Sequence, residues 1–466
     1  MLSSVRWAGL LSVAAAAQAP AEAAARIEEL YNSHCVNCHG DGMAGGSAPS
    51  MLDDEWRYGS GDEVLADVIR AGRPGDGMPA FGEVLSEEEI RAMVIFIREK
   101  NARARPEPAP EAIGDRVFRS ELHDFRLETV VDELDLPWSL AFLPGGDWLV
   151  SERAGTLLRI DPETGARRTI EGIPEVFAKG QGGLLDVAVH PGHAENGWVY
   201  LSYSDPSPGG RRGFTAIARG RLDGDRWVDE EVVFQVPDEF YGRSGVHFGC
   251  RMVFDGDHLF FTIGDRGRQE QARDLSRPNG KTHRIFHDGR IPPDNPFADE
   301  PDAFPSIWTI GNRNAQGLAL DPSSGHLWET EHGPRGGDEL NLLRGGADYG
   351  WPFVTFGMNY NGTPITDRTS APGIVDPVVH WTPSPAVCGL DFYDADAFPR
   401  WRGALLSGAL AGQELRLLRL DGESVAGQEI LVKGMGRIRD VEVGPGGLVY
   451  IVFNGPGRIV RMSPAD

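Results

Sequence analysis

Arg251-Met-Val-Phe-Asp-Gly-Asp-His-Leu-Phe-Phe-Thr262 is the stretch whose reading decides the fold. Two short apolar runs flank an Asp-Gly-Asp turn, the pattern of a β-hairpin. The same texture recurs at Ser139–Val150, at Leu185–Gly192 with Trp198–Ser202, and at Gly317–Trp328. It returns more loosely at Gly389–Tyr393 with Leu405–Ser407, and closes at Arg439–Ile451. Six hairpins at spacings of roughly 47 to 72 residues suit the blades of a propeller, each completed to four strands. The reading is an all-β six-bladed propeller over residues 117–466, with a pair of sandwiches as the alternative. Phe125–Val131 is a further alternating strand that can pair with the last blade and close the ring. Polar residues after the second strand of each hairpin should then meet on one rim of the central channel.

Composition agrees. With 60 Gly and 33 Pro in 466 residues the chain is too turn-rich for a helical bundle. Four Cys do not make a disulfide scaffold, and a net charge of −24 argues against nucleic acid or an anionic membrane as partner. At the start, Arg6 precedes the apolar run Trp7–Ala17 and small residues with A-x-A cleavage sites follow. Residues 1–23 therefore read as a secretory signal peptide, too short to span a bilayer. An exported mature chain without a membrane-spanning segment is expected.

Outward from the propeller lies a second texture. Cys35-Val-Asn-Cys38-His39 is C-x-x-C-H, the attachment pattern of c-type haem. One helical turn lets two thiols reach the haem vinyl groups while the imidazole faces the iron. A redox C-x-x-C or half a zinc site competes, but no second C-x-x-C completes a zinc site. Met78, on the loop Gly75-Asp-Gly-Met78-Pro79-Ala-Phe81, is the preferred opposite axial ligand, with Met43, Met51 and Met93 as competitors. Met93 shares the i, i+3, i+4, i+7 pattern of Ile90, Val94 and Ile97 in Ser86–Lys100 and reads as core of a helix. Residues 25–101 resemble a small all-α class I cytochrome c domain, which implies one haem c, His/Met ligation and electron transfer. The expected domains are a cytochrome over 24–101, an Arg/Pro-rich linker over 102–116, and the propeller over 117–466.

Several polar clusters fall in phase with the hairpins. They are Gln181–Asp186, Val246–Arg251, Gly311–Gly317 and Gly436–Asp440, and the last three place arginines at the mouths of different blades, inside an otherwise acidic chain. Arginine binds planar carboxylates in bidentate fashion, so a small polyanion is the expected ligand. His247 is the candidate general base. Cys250 and Cys388 read as buried thiols, with a disulfide as the alternative.

The strings HFGCR, TIGDRGR, GNRNAQGLA, ETEHGPRGGDELN, ADYGWP and GRIRD resemble, in order, the soluble PQQ-dependent sugar dehydrogenases of the glucose/sorbosone dehydrogenase family. The resemblance spans residues 125–462 and itself implies a six-bladed propeller. It implies that His247 takes the substrate hydroxyl proton, assisted by Gln181, Asp265 and Arg313. Arg313, Asn314, Arg437 and Arg439 would hold PQQ, and Trp381 would line the substrate mouth. The carbonyls of Gly333 and Pro334 would bind Ca²⁺, with a second Ca²⁺ at Glu339 and the Tyr349 carbonyl. Ala411 stands where some members carry a Lys on PQQ. The resulting expectation is a periplasmic quinohaemoprotein that oxidises aldose sugars at the anomeric carbon and passes electrons through haem to an external acceptor. A sorbosone-like aldehyde substrate, or a non-catalytic propeller with a relay cytochrome, are the alternatives.

Overall fold

A computed structural model describes residues 19–53, 55–104 and 113–465. The expected apolar run Trp7–Ala17 and the cleavage site at Ala15–Ala17 lie outside those residues, and the alternative site at Ala21–Ala23 falls in the helix Ala19–His34. By contact density the chain divides into two units, one of residues 1–106 with 357–367, the other of 107–356 with 368–466.

The larger unit is the six-bladed propeller. In blade three, Met252–Asp255 and His258–Ile263 pair with Asp255 opposite His258, leaving a two-residue turn. Gly256 takes that turn at φ +55, a conformation that matches the twist of the strands it joins. Lys281–Phe286 and Ile307–Ile310 complete the blade. The other blades begin at Pro137–Phe142, Leu184–Val189, Ala315–Leu320, Val387–Tyr393 and Arg437–Val443. These first strands pack against one another in a closed circle around the channel. The ring closes as the sequence suggests: Phe125–Val131 pairs antiparallel with the C-terminal strand Gly457–Pro464, Phe125 opposite Pro464. An additional edge strand, Gly114–Phe118, makes this last sheet five-stranded. Between blades the sheets bury interlocking apolar faces, such as Leu406, Leu415 and Ile438 with Val441 and Ile451.

The smaller unit is helical. Ser86 caps the helix Glu87–Ala104, its hydroxyl accepting from the Glu89 amide at 3.3 Å while the Glu89 carboxylate accepts from the Ser86 amide at 3.0 Å. This reciprocal box satisfies two otherwise orphaned donors. Ile90, Met93, Val94 and Ile97 are buried as the spacing requires, against Ile27, Tyr31, Leu65 and Ile69. Two boundaries differ from expectation. The helix runs three residues into the expected linker because Asn101 is buried, its amide donating to the carbonyls of Met51 and Asp53 at 3.0 and 3.2 Å, and no proline intervenes before Pro106. The strand at Gly114 shortens the linker from the other side.

Residues 357–367, expected in the propeller, belong to the helical unit. Met358 is 1% exposed within its core. The Arg91 guanidinium donates to the carbonyls of Thr366 and Asp367 at 3.1 and 2.6 Å. No helix among the described residues is long and apolar enough to cross a membrane.

Candidate active site

His247 and Cys250 flank Phe248 and Gly249 in the segment entering blade three, and both have positive φ, +52 and +86. Such strain persists only where surrounding structure over-determines it. Here the constraint on His247 is visible. Its backbone N–H donates to Gln181 Oε1 at 2.7 Å, and its ring Nδ1 lies 2.6 Å from Asp265 Oδ1. Asp265 follows the second strand of the same blade and is 1% exposed. It also accepts from the Gly267 amide at 2.7 Å and from the Trp351 indole at 2.8 Å. Burial lowers the affinity of His247 for a second proton, against the opposing bond to Asp265. Burial pushes Asp265 upward, but the His247 bond and the Arg313 charge outweigh it and hold the carboxylate below its ordinary range. The pair is therefore a neutral imidazole with Nδ1–H on a carboxylate, leaving Nε2 as the basic nitrogen.

Arg313 stands beside this pair. It donates to the carbonyls of His332 and Gly333 at 2.8 and 2.7 Å, with its guanidinium carbon 5.3 Å from the Trp351 ring centre. The Arg313 amide in turn donates to Glu331 at 2.6 Å. Asn314 accepts from the Gly249 amide at 3.3 Å and from the Gln316 amide group at 3.2 Å. Arg439 reaches the same cluster from blade six, donating to Gln316 Oε1 at 2.7 Å and to Cys388 Sγ at 3.2 Å. Arg437 lies two residues upstream on that strand and is exposed.

Buried nitrogens show what this cluster lacks. Nε of Arg313, Nε of Arg439 and Nε2 of His332 have no hydrogen-bond partner among the described residues. An unpaired buried donor is costly, and a planar ligand bearing carboxylates and carbonyls supplies the missing acceptors. The residues present thus fit a polyanionic quinone.

Gly333, Pro334, Glu339 and Tyr349, expected at two separate Ca²⁺ sites, line one cavity of about 10 Å³ together with Glu331. That is room for a single water or ion. Only glycine suits position 333, where a Cβ would lie 2.1 Å from the Gly337 carbonyl oxygen. Burial raises the carboxyls of Glu331 and Glu339 well above their usual range, an environment that a cation would reverse. Among the described residues no three His, Cys, Asp or Glu side chains are grouped to hold a metal by themselves, so carbonyl oxygens would have to contribute.

Trp381, expected at the substrate mouth, is buried. It occupies the outermost strand of blade four, Val379–Trp381, buried with Trp328 and Leu405, and its indole donates to Gln428 at 3.0 Å. The ring packs between blades four and five, while the Trp381 carbonyl accepts at 2.9 Å from the amide of Gly337, which lines the cavity of Gly333 and Glu339. Trp351, within the quoted ADYGWP string, is the aromatic that meets Asp265 and Arg313. Arg251, counted among the convergent arginines, is instead paired with Asp186 at 3.0 Å and Asp440 at 2.9 Å. Cys250 and Cys388 are free and buried. Ala411 is exposed in the turn after Ala404–Ala409.

In the helical unit Cys35 and Cys38 are free thiols one turn apart. His39 Nδ1 lies 3.4 Å from the Pro49 carbonyl, which orients the ring and leaves Nε2 for a metal. Met43 and Met93 are core, whereas Met78 and Met51 are only partly covered. The Met78 loop is pinned by reciprocal backbone bonds with Arg73 at 2.8 and 3.1 Å. These residues fit a covalently held haem.

Comparison with known proteins finds relatives for both units. Residues 134–461 match the model of the Glucose / Sorbosone dehydrogenase family. The chain belongs to that family. It is an oxidoreductase of the PQQ-dependent sugar dehydrogenase type, preceded by a cytochrome c domain: residues 22–97 match the family of the cbb3-type cytochrome c oxidase subunit III. Aldose sugar dehydrogenase YliI of Escherichia coli is 40% identical over 348 residues, 73% of this chain and 93% of that protein. The solved PQQ-bound aldose sugar dehydrogenase of Streptomyces coelicolor is 29% identical with a TM-score of 0.60, covering 73% of this chain and 98% of that one. At the other end, the cbb3-type oxidase subunit FixP of Bradyrhizobium diazoefficiens is 39% identical over 77 residues, 16% of this chain and 26% of that protein.

Proposed function

We propose that this sugar dehydrogenase is a periplasmic quinohaemoprotein that oxidises aldoses at the anomeric carbon and delivers the electrons to an external acceptor. The observation that carries the reading is the neutral His247 imidazole bonded to the Asp265 carboxylate, set beside arginines with unsatisfied buried nitrogens. His247 Nε2 accepts the proton of the anomeric hydroxyl. Asp265 fixes the tautomer and stabilises the imidazolium that forms, and Trp351 and Gly267 hold Asp265 in turn. Gln181 keeps His247 in its strained backbone conformation. Arg313, Asn314, Arg437 and Arg439 would hold PQQ, and Ca²⁺ would sit among Gly333, Pro334, Glu339 and Tyr349. Cys35, Cys38, His39 and Met78 would hold haem c. When bound, PQQ supplies the two-electron acceptor and haem a one-electron exit, a division of labour that explains why one chain carries both domains.

The test is reconstitution of the full chain with PQQ and Ca²⁺, followed through the reduced-haem absorbance on adding aldoses. Haem reduction that requires PQQ supports the reading. No reduction by any aldose, alcohol or aldehyde overturns it, and reduction by sorbosone-like aldehydes alone replaces the substrate class.

A further inference from the structure

A second cavity of about 100 Å³ lies in the propeller, lined by Arg243, Arg266, Arg268 and Arg277 with Glu239 as its one carboxylate. Four guanidiniums around one space are conspicuous in a chain of net charge −24. Arg266 is the most informative. It is 4% exposed, and among the described residues no carboxylate makes a salt bridge with it. Its guanidinium lies 3.3 Å from the Phe248 ring centre and donates to the carbonyls of Val246 and, at 2.7 Å, Ser244. Its Nε has no partner, and neither has the buried Nε of Arg277. Arg277 has only a long contact with Asp274, 3.9 Å, and its guanidinium lies 5.4 Å from the Phe240 ring centre. Burial drags Arg266 down to about 9, outweighing the opposing effects of Cys250 and Asp265.

The cavity adjoins the catalytic pair through shared backbone. Arg266 follows Asp265 directly, and the two carbonyls it holds belong to the segment leading into His247. Asn279, also in the lining, donates its amide to the Asp265 carbonyl at 3.0 Å. A ligand here would stiffen the loops on both sides of the His247–Asp265 pair. Arginine in several orientations, held on aromatic faces and by carbonyls, is the arrangement that captures tetrahedral or planar oxyanions. The volume suits one such group rather than a whole sugar.

We propose that this cavity is a binding site for a phosphate-sized oxyanion, carried either by an acidic aldose, such as an aldose phosphate or uronic acid, or by free inorganic phosphate. The acidic-aldose source rests on the sugar-oxidising reading above; anion binding itself does not.

Isothermal titration of the loaded full chain with inorganic phosphate, against chloride of equal ionic strength, tests it. The wild type should bind one phosphate, and Arg268→Gln with Arg277→Gln should weaken that binding by at least about tenfold. Arg268→Gln alone, at an exposed position, serves if the double variant does not fold. No saturable phosphate binding, or equal binding by wild type and variant, overturns the proposal. Steady-state rates separate the two sources. A kcat/KM advantage of acidic over neutral aldoses that is lost in the variant assigns the anion to the substrate, and phosphate then competes with it. Phosphate that binds together with a neutral aldose and alters its kinetics assigns the site to free phosphate. Failure to turn over any sugar would defeat the catalytic reading while leaving the phosphate titration interpretable.

Discussion

The two units solve the same problem, holding a redox group, in opposite ways. On the proposed reading the helical unit would concentrate its attachment chemistry in Cys35–His39, five consecutive residues, and take only Met78 from elsewhere. On the same proposed reading the propeller gathers its site from Gln181, His247, Asp265, Arg313, Trp351 and Arg439, spread over more than half the chain. A local site survives rearrangement around it but is destroyed by one substitution. A distributed site is set by the register of many strands, and its members fail by degrees.

Breaking the local site should have the largest effect. Cys35→Ser with Cys38→Ser should abolish covalent haem, seen as complete loss of haem colour on the denatured polypeptide, while PQQ-dependent dye reduction by the propeller persists. Loss of dye reduction as well would show that the units are not separable in this sense. Next comes His247→Ala, expected to lower kcat about 10²- to 10⁴-fold with the haem spectrum untouched. An unchanged rate would remove His247 as the base.

A third test sharpens the contrast through pH. Because burial depresses His247, its neutral form persists below the ordinary imidazole value of about 6.5, and the acid limb of kcat should fall below that pH. Asp265→Asn removes a group that favours the imidazolium. It should move the limb lower still, while reducing kcat less than His247→Ala does. A limb that rises instead would mean Asp265 does not face the charged ring.

Smaller effects are expected at the strap of residues 357–367. Met358→Ala removes a fully buried side chain from the core of the helical unit and should cost about 2–5 kcal/mol there, measured by the melting of the haem signal. Arg91→Ala forfeits two charge-assisted bonds to the Thr366 and Asp367 carbonyls and should cost less, about 1.5–3 kcal/mol. No change in the haem-signal melt in either variant would mean the strap does not support that unit.

Much of this was legible in the residues. The turn at Gly256 and its repeats announced hairpins, since a two-residue loop between apolar runs admits few conformations. The spacing of Ile90, Met93, Val94 and Ile97 announced a helix core for a similarly local reason. Trp381 and Trp351 show the limit. Both are tryptophans in turn-rich sequence, and nothing local tells that one lies on an outer strand and the other against Asp265. Met358 shows it again, because a segment between two propeller strands carries no mark that its side chains are buried in another unit.

Sequence alone therefore determined the pieces whose physics is local: hairpins, an amphipathic helix, a haem-attachment pattern, and the residue types the chemistry requires. Closing of the ring brought Phe125 to Pro464, and the same closure decided which arginines are satisfied. Arg251 found the carboxylates of Asp186 and Asp440, whereas among the described residues no carboxylate makes a salt bridge with Arg313, Arg439 or Arg266. Whether a buried charge is spent on structure or left for a ligand depends on which carboxylate lies within a few ångströms, and that distance exists only in the folded chain.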